Sequence, residues 1–493
     1  MGRSTQMDVK VKFGLKSFIT VVAILLVVLI SVGILSFVIP AGRYTIYTTD
    51  QTKIGEPFYE YTTDESLNKQ IVIDSYRELS DEENTTRLPV IRWIISPIEA
   101  LIFGSNSANI IMIIALLLVL GGTFKVLEES GGLVSLVRVI MERLRERRFA
   151  AIWAITAVIM ILSAVFGLQE QLLILYPVFA MLCTALNWSR FTAISFVLIA
   201  SGVGFTTAIT NPLTIGTAAL SAGVSVTDGM WYRCIIFCVM YVVTSLFLIY
   251  LAKRDEKRAT EKFDVQGFVM VSEEEHKDDV RKAKMIIALF SIALLSVIIT
   301  TAIAALRSLA MVFMAVAFIV GTVIVGKKLL GTYGRLGKCF AKGVKDVLPS
   351  IVIILIAFGI TYIAQQGNIL HTIFHYFYNT VTNMSPYLAV IMLYVFVLII
   401  EFFIPSASAK AVLIIPMLTL APIDGVSKTV IILTYLFADG YTNVLYPTCG
   451  TLLVGIGLAN VSFTEWVKKT IVFQLLLCAI SMGFLMLAVF IGL

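Results

Sequence analysis

Four stretches set ionisable and hydrogen-bonding side chains inside otherwise apolar sequence. FGLQEQLLILYP, Phe166 to Pro177, centres on Gln169, Glu170 and Gln171. EFFIPSASAKAVLIIP, Glu401 to Pro416, offers Ser406, Ser408 and Lys410. FADGYTNVLYPTCG, Phe437 to Gly450, brings Asp439, Thr442, Asn443 and Thr448, and ITNPLTIGT, Ile209 to Thr217, brings Asn211 and Thr214. Acids, amides, hydroxyls and an ammonium are groups that hold solutes and ions. In a hydrocarbon interior unpaired polar atoms are costly, so ionisable groups there point to a binding task. No Walker A loop, nucleophile elbow or paired metal-ligand spacing occurs, which leaves ATP-driven transport and membrane hydrolysis without support. Neither an enzyme nor a bound cofactor is expected, beyond sodium or a proton as coupling ion.

Each residue has a plainer reading as well. Glu170 and Asp439 have no basic neighbour in sequence, and an ion pair across helices stands beside a role in binding. Lys410 either binds a carboxylate or extends its ammonium toward the membrane surface. Glu401 is read as a partner of Lys410. Ser406 and Ser408 are able to bond back to their own backbone. His371 and His375, in HTIFHYFYNT, have i, i+4 spacing but no third ligand, so an interfacial helix face is preferred to zinc or pH sensing. Trp231 and Trp466 follow acids at expected membrane boundaries and read as interfacial anchors.

The elements that carry these residues are membrane helices. The chain has 493 residues, 58% hydrophobic and 14% charged, a balance that only a polytopic membrane protein explains. Segments 16–39, 108–127, 229–252, 285–305, 308–326, 348–366 and 467–492 each approach the ~20 apolar residues that span a bilayer. The net charge of +6 does not form a nucleic-acid patch, because the basic residues flank hydrophobic segments and set topology instead. The six cysteines lack metal-site spacing, and no disulfide or zinc site is expected. Arg3, Lys10, Lys12 and Lys16 place the N-terminus in the cytoplasm of a multi-pass cell (inner) membrane protein and the loop 41–92 outside; Arg138, Arg143, Arg145, Arg147 and Arg148 return the chain to the cytoplasm. Asn84-Thr85-Thr86 matches a glycosylation sequon, and chance is the preferred reading.

Two halves echo each other. Pro212 and Pro447, like Trp231 and Trp466, stand 235 residues apart, while Ser225 and Ser462 stand 237 apart, so the chain is read as an inverted repeat. The first repeat covers 1–252, with a hairpin at 150–188 and a broken helix at 191–220. A cytoplasmic linker at 253–284 and a connecting helix at 285–307 follow. The second repeat covers 308–493, with a hairpin at 386–421 and a broken helix at 424–457. Hairpin flanks of about 10 to 17 residues are too short for independent spans and suit re-entrant hairpins, with the first opening inward and the second outward. The stretches from Gly202-x-Gly204 through Asn211-Pro212-x-Thr214-x-Gly216 and from Asp439-Gly440-Tyr441-Thr442-Asn443 through Pro447-Thr448-x-Gly450 are expected to break their helices with Gly and Pro and free carbonyls for a cation.

At these motifs the chain resembles the anaerobic C4-dicarboxylate carrier and basic amino acid antiporter family, in its YfcC-like branch, within the wider ion transporter superfamily. The resemblance rests on GLQEQ at Gly167 to Gln171, GVG with NPLTIG at Gly202 to Gly216, FIPSASAK at Phe403 to Lys410, and FADGYTN with PTCG at Phe437 to Gly450, and it extends over nearly the whole chain. Gln171 stands where the family shows a second acid, and Ala409 where it shows glycine. The resemblance implies an all-α, homodimeric elevator-type secondary transporter in the bilayer, with a scaffold and a mobile domain of hairpins and broken helices. Its cargo is then an amino acid of the arginine or ornithine type or a carboxylate, ion-coupled or exchanged. Gln169, Glu170, Gln171, Asn211, Thr214, Ser406, Ser408, Lys410, Asp439, Asn443 and Thr448 are the expected substrate residues. Glu170, Asp439, Thr442 and Asn443 are the expected coupling-ion residues. A cation/proton antiporter, or a channel or membrane scaffold, remains the alternative.

Overall fold

The computed structural model describes residues 15–47, 60–62, 70–71, 76–80, 82–104, 107–144, 147–258, 272–302, 310–381, 384–404, 407–420 and 423–493. It is a helical protein. The helices are α1 (Leu15–Val38), α2 (Val90–Trp93), α3 (Ser96–Phe103), α4 (Ser107–Glu129), α5 (Gly132–Leu144), α6 (Arg148–Phe166), α7 (Tyr176–Ala185), α8 (Arg190–Thr207), α9 (Ile215–Ala222) and α10 (Met230–Arg258). There follow α11 (Glu273–Ala302), α12 (Ala310–Leu330), α13 (Tyr333–Gln366), α14 (Ile369–Val381), α15 (Pro386–Phe403), α16 (Ala407–Leu420), α17 (Lys428–Thr442), α18 (Gly450–Leu458) and α19 (Phe463–Phe490). Among the described residues nine helices are long and apolar enough to cross a membrane.

Three of the nine were not among the expected spans: Arg148–Phe166, Arg190–Thr207 and Pro386–Phe403. The first and last stand where the leading arms of the two hairpins were expected, and at 19 and 18 residues they exceed the expected flank length. No glycine or proline stands between Arg148 and Phe166, so the helix runs on until Gly167, which caps it at φ 74°. At ~1.5 Å per residue such an arm measures about 28 Å, close to a full hydrocarbon core.

The helices pack as two groups. In one, α13 lies against α1, α3 and α4, and α11 and α12 pack on each other and on α5 and α4. In the other, α8 is the hub: α6, α7, α10 and α17 all pack on it, and α15, α16 and α19 pack on α17. Between the groups α5 meets α7, and α13 meets α18. The expected linker 253–284 is shorter than read, because α10 continues to Arg258 and α11 begins at Glu273. Its charged residues are good helix formers, and Glu273–Lys277 and Asp278–Lys282 support the helix as i, i+4 pairs at 2.8 Å. Residues 259–271 lie outside the described ones.

The loop after α1 forms short strands: β1 (Gly42–Arg43) pairs antiparallel with a strand at Arg77–Glu78, and Thr45–Tyr47 pairs with Glu60–Thr62 and Gln70–Ile71. This loop sits on amphipathic α14. Tyr44 N–H donates to His371 Nδ1 at 3.1 Å, and Tyr76 stacks on His375 at 3.9 Å. His371 is therefore buried under the loop, not spread on a membrane surface. Asn84 of the sequon is also buried, donating to Gly367 O and accepting from Asn368 at 2.8 Å, so it faces away from any glycosylating enzyme.

Candidate functional site

Both hub helices stop inside the protein. α8 ends at Thr207 with Ala208 at φ 36°, and the chain resumes as α9 at Ile215; α17 ends at Thr442, and α18 starts at Gly450. Both breaks fall within the expected stretches, at 208–214 and 443–449, but Gly202, Gly204 and Gly440 themselves lie within unbroken helix. They let α8 and α17 touch. A Cβ on Gly440 would lie 2.3 Å from Thr206 N, and one on Gly202 would lie 2.4 Å from Val444 Cγ1. Close approach, not chain freedom, is what these glycines supply.

The breaks are held by side chains that sequence reasoning placed elsewhere or passed over. Trp466 is wholly buried and donates its indole N–H to Val444 O at 2.8 Å, so it satisfies a carbonyl at the α17–α18 break and is no interfacial anchor. Trp231 is exposed, as an anchor would be. Buried Arg233 serves the first break, donating to Ile209 O at 3.2 Å, to Asp228 O at 2.8 Å and to Val226 O. Its position two residues after Trp231 was the only sequence signal for it.

At the crossing lies an ionic triad. Lys410 Nζ, from α16, contacts Asp439 Oδ1 of α17 at 2.5 Å and also a carboxylate oxygen of Glu401, at the end of α15. All three side chains have no solvent exposure. Tyr435, one turn before Asp439, places its ring 5.5 Å from Nζ and donates its hydroxyl to Ala407 O at 2.6 Å, tying α17 to the start of α16. Glu401 pairs with Lys410 as its proximity in sequence indicated. The partnership with Asp439 joins residues 29 apart and was not legible. Two carboxyl groups meet one ammonium, so the cluster holds one acid more than it holds bases. Glu170, half-buried between α6 and α7, is a further acid beside Gln169.

Amides and hydroxyls complete the site. Asn443 Nδ2 donates to Gln169 Oε1 at 3.0 Å, which joins the turn between α6 and α7 to the second break. Asn211 Oδ1 accepts from Leu213 N at 2.9 Å, and the backbone N–H groups of Thr210 and Asn211 reach Ala164 O at 3.1 Å, so the first break is stitched to the first hairpin. Buried polar atoms remain uncommitted: Gln169 Nε2, Gln171 Oε1, Asn211 Nδ2, Thr214 Oγ1, Thr448 Oγ1, Glu401 Oε2 and Asp439 Oδ2 make no hydrogen bond to the described residues. Such groups are rare in a folded interior and are available to a guest. Thr442 spends its hydroxyl on Asp439 O at 3.1 Å, within its own helix. Ser406 and the side chain of Ser408 lie outside the described residues.

Nine apolar helices among the described residues define a polytopic membrane protein, and polar groups at helix ends inside it with a buried ionic triad suit a transporter. The sequence profile of the C4-dicarboxylate anaerobic carrier (DcuC) family matches residues 17–490, and the chain belongs to that family. It is 22% identical to YfcC of Escherichia coli (strain K12), a candidate basic amino acid antiporter, over 90% of this chain and 91% of that protein. It is likewise 22% identical to an uncharacterized protein of Haemophilus influenzae, over 98% and 99% of the two chains. Among solved structures it is similar to the Alcanivorax borkumensis YdaH transporter, at 14% identity and a TM-score of 0.43 over 97% of this chain and 99% of that one. MtrF of Neisseria gonorrhoeae, from a class of antimetabolite efflux pumps, matches at the same identity and TM-score over 95% of both chains.

Proposed function

We propose that the protein is a secondary active transporter of small organic solutes, of which amino acids of the arginine or ornithine type fit best and carboxylates come next. The carrying observation is the charge of the triad. Glu401, Asp439 and Lys410 have no solvent exposure and set two carboxyl groups against one ammonium; with both acids ionised the cluster carries one negative charge in excess, and a buried charge without a counter-charge is costly. A monocation ~4 Å away would gain about 4 kcal/mol at an effective dielectric near 20. The positive charge comes from the cargo or from a sodium ion or proton that travels with it. Gln169, Gln171, Asn211, Thr214 and Thr448, with uncommitted polar atoms, bind the rest of the solute, and Asn443 sets Gln169; Ser406 and Ser408 are assigned with them. Glu170, Asp439, Thr442 and Asn443 surround the coupling ion.

An elevator built on an inverted repeat is the mechanism we assign. Amphipathic α5 and α14 each have 13 residues and start at 132 and 369, 237 apart. The hairpins start at 148 and 386 and the broken helices at 190 and 428, each pair 238 apart, which supports one unit used twice. The group around α13 acts as the scaffold of a homodimer, and the group around α8 and α17 carries the site across the inner membrane, with the N-terminus in the cytoplasm. The family relative YfcC, with its antiporter name, favours basic amino acids. The test is counterflow: proteoliposomes loaded with unlabelled arginine should accumulate external labelled arginine, and those loaded with succinate should do so for labelled succinate if carboxylates are the cargo. Label that enters only down its own gradient, without exchange, would indicate a channel and end this assignment.

A further inference from the structure

At its basic end helix α10 sorts its charges by side. Asp255 Oδ2 accepts from Ser189 N at 2.9 Å, Ser189 Oγ at 2.6 Å and Thr192 Oγ1 at 2.5 Å, capping the start of α8. Glu256 pairs with Arg148 at 2.9 Å and accepts from Trp188 Nε1 at 3.0 Å. Both acids are thus held on the side that faces α6 and α8. Beside them a groove of about 460 Å³ is lined, among the described residues, by Leu246, Ile249, Tyr250, Lys253, Arg254 and Lys257, with Lys253 Nζ also 5.4 Å from the Phe149 ring of α6. These positions, spaced three, one, three, one and three apart, form one stripe of the helix. Its first half is apolar, with Leu246 and Tyr250 54% and 59% exposed, and its second half is basic. Arg254 Nε is buried without a hydrogen-bond partner among the described residues, and the guanidinium's nearest acid, Asp255, is 3.9 Å away and already engaged three times.

We infer that this groove binds one anionic phospholipid, the phosphate on Lys253, Arg254 and Lys257 and an acyl chain along Leu246, Ile249 and Tyr250. Charge complementarity selects the headgroup: three cations stand together with no free acid between them. The apolar half selects a lipid over a soluble anion, because it continues the same stripe into the membrane-spanning part of α10. Basic residues beside an anionic leaflet contribute roughly 1 kcal/mol each, which at ~1.4 kcal/mol per decade is about five-fold per residue and roughly a hundred-fold for three. α10 packs on the hub helix α8, so the lipid holds the part of the protein that the transport proposal sets in motion. The binding itself does not depend on that proposal.

The test is titration of the delipidated, purified protein with phosphatidylglycerol or phosphatidylcholine, with adducts counted by native mass spectrometry. One phosphatidylglycerol adduct should saturate well before phosphatidylcholine does. Arg254→Gln should weaken it about five-fold. The triple variant Lys253→Gln, Arg254→Gln, Lys257→Gln should lose the preference, and Lys327→Gln with Lys328→Gln at another basic helix end should keep it. Thermal unfolding of the same variants verifies that they are folded. Equal phosphatidylglycerol binding by the triple variant overturns the inference. So does full competition by millimolar inorganic phosphate, which would mark an anion site without a lipid. A triple variant that changes subunit number instead of adduct number would show that a second copy of the chain covers the groove, and also overturns it.

Discussion

Asp439→Asn and Lys410→Met should move the protein in different directions, although each removes one side of the same 2.5 Å contact. With both acids of the parent ionised, the first variant takes the triad from one net negative charge to none. Lys410 keeps Glu401, and the asparagine oxygen still accepts from Nζ, so stability should stay within about 1 kcal/mol of the parent. In the second the triad goes to two negative charges with no cation and no exposure, a change that costs ~3–5 kcal/mol when a buried pair loses one partner. Binding follows the charge instead. Without the excess negative charge Asp439→Asn forfeits about 4 kcal/mol of attraction for a cationic group ~4 Å away, close to a thousand-fold in affinity. Thermal unfolding of the purified proteins gives the stability order, and concentration-dependent uptake of labelled arginine into proteoliposomes gives the affinity. Arginine handled by Asp439→Asn as by the parent, or a Lys410→Met protein that unfolds no earlier than Asp439→Asn, would refute the charge argument.

Gly440→Ala should destabilise by at least ~1–3 kcal/mol in thermal unfolding, because its Cβ would lie 2.3 Å from backbone Thr206 N and no side-chain rearrangement relieves that. Adding Thr206→Ala should give no rescue; rescue would show that only the threonine hydroxyl was in the way. Glu170→Gln should weaken uptake of arginine more than that of succinate, and an equal effect on both would make Glu170 structural. His371 contributes a pH dependence at the loop on α14: burial first, then Arg43, lowers its imidazole to about 4 from about 6.5 in the unfolded chain. The docked loop binds the neutral ring, so the stabilisation is present above about pH 6.5 and is lost as pH falls toward 4, up to about 3 kcal/mol. Hydrogen-exchange protection factors at residues 42–47 and 76–79, corrected for the intrinsic pH dependence of amide exchange, should fall over that range and stay constant in His371→Asn; constant protection factors in the parent would contradict the burial argument.

Much was settled by local sequence. Hydrophobic length fixes a membrane span because about 20 residues must cross the hydrocarbon whatever surrounds them, and polar residues amid such runs mark the interior because lipid excludes them. Thus α10, α11 and α19 were legible, as were the polar turns at Gln169 to Gln171 and before Lys410. The pairing of Glu401 with Lys410 was also legible, since nine residues across a turn bring the two groups close. Tertiary structure decided the rest, because packing acts between residues that the sequence does not rank as neighbours. Gly202 and Gly440 read as helix breakers until the crossing of α8 and α17 showed that the missing side chains make room for another backbone. Trp466 read as a membrane-surface residue until its indole was found on the Val444 carbonyl. Asp439 lacked a base in sequence and has one in space, 29 residues away, because α16 and α17 pack side by side. The excess charge of the triad, which carries the functional proposal, is likewise a property of three helix ends meeting and of no one of them alone.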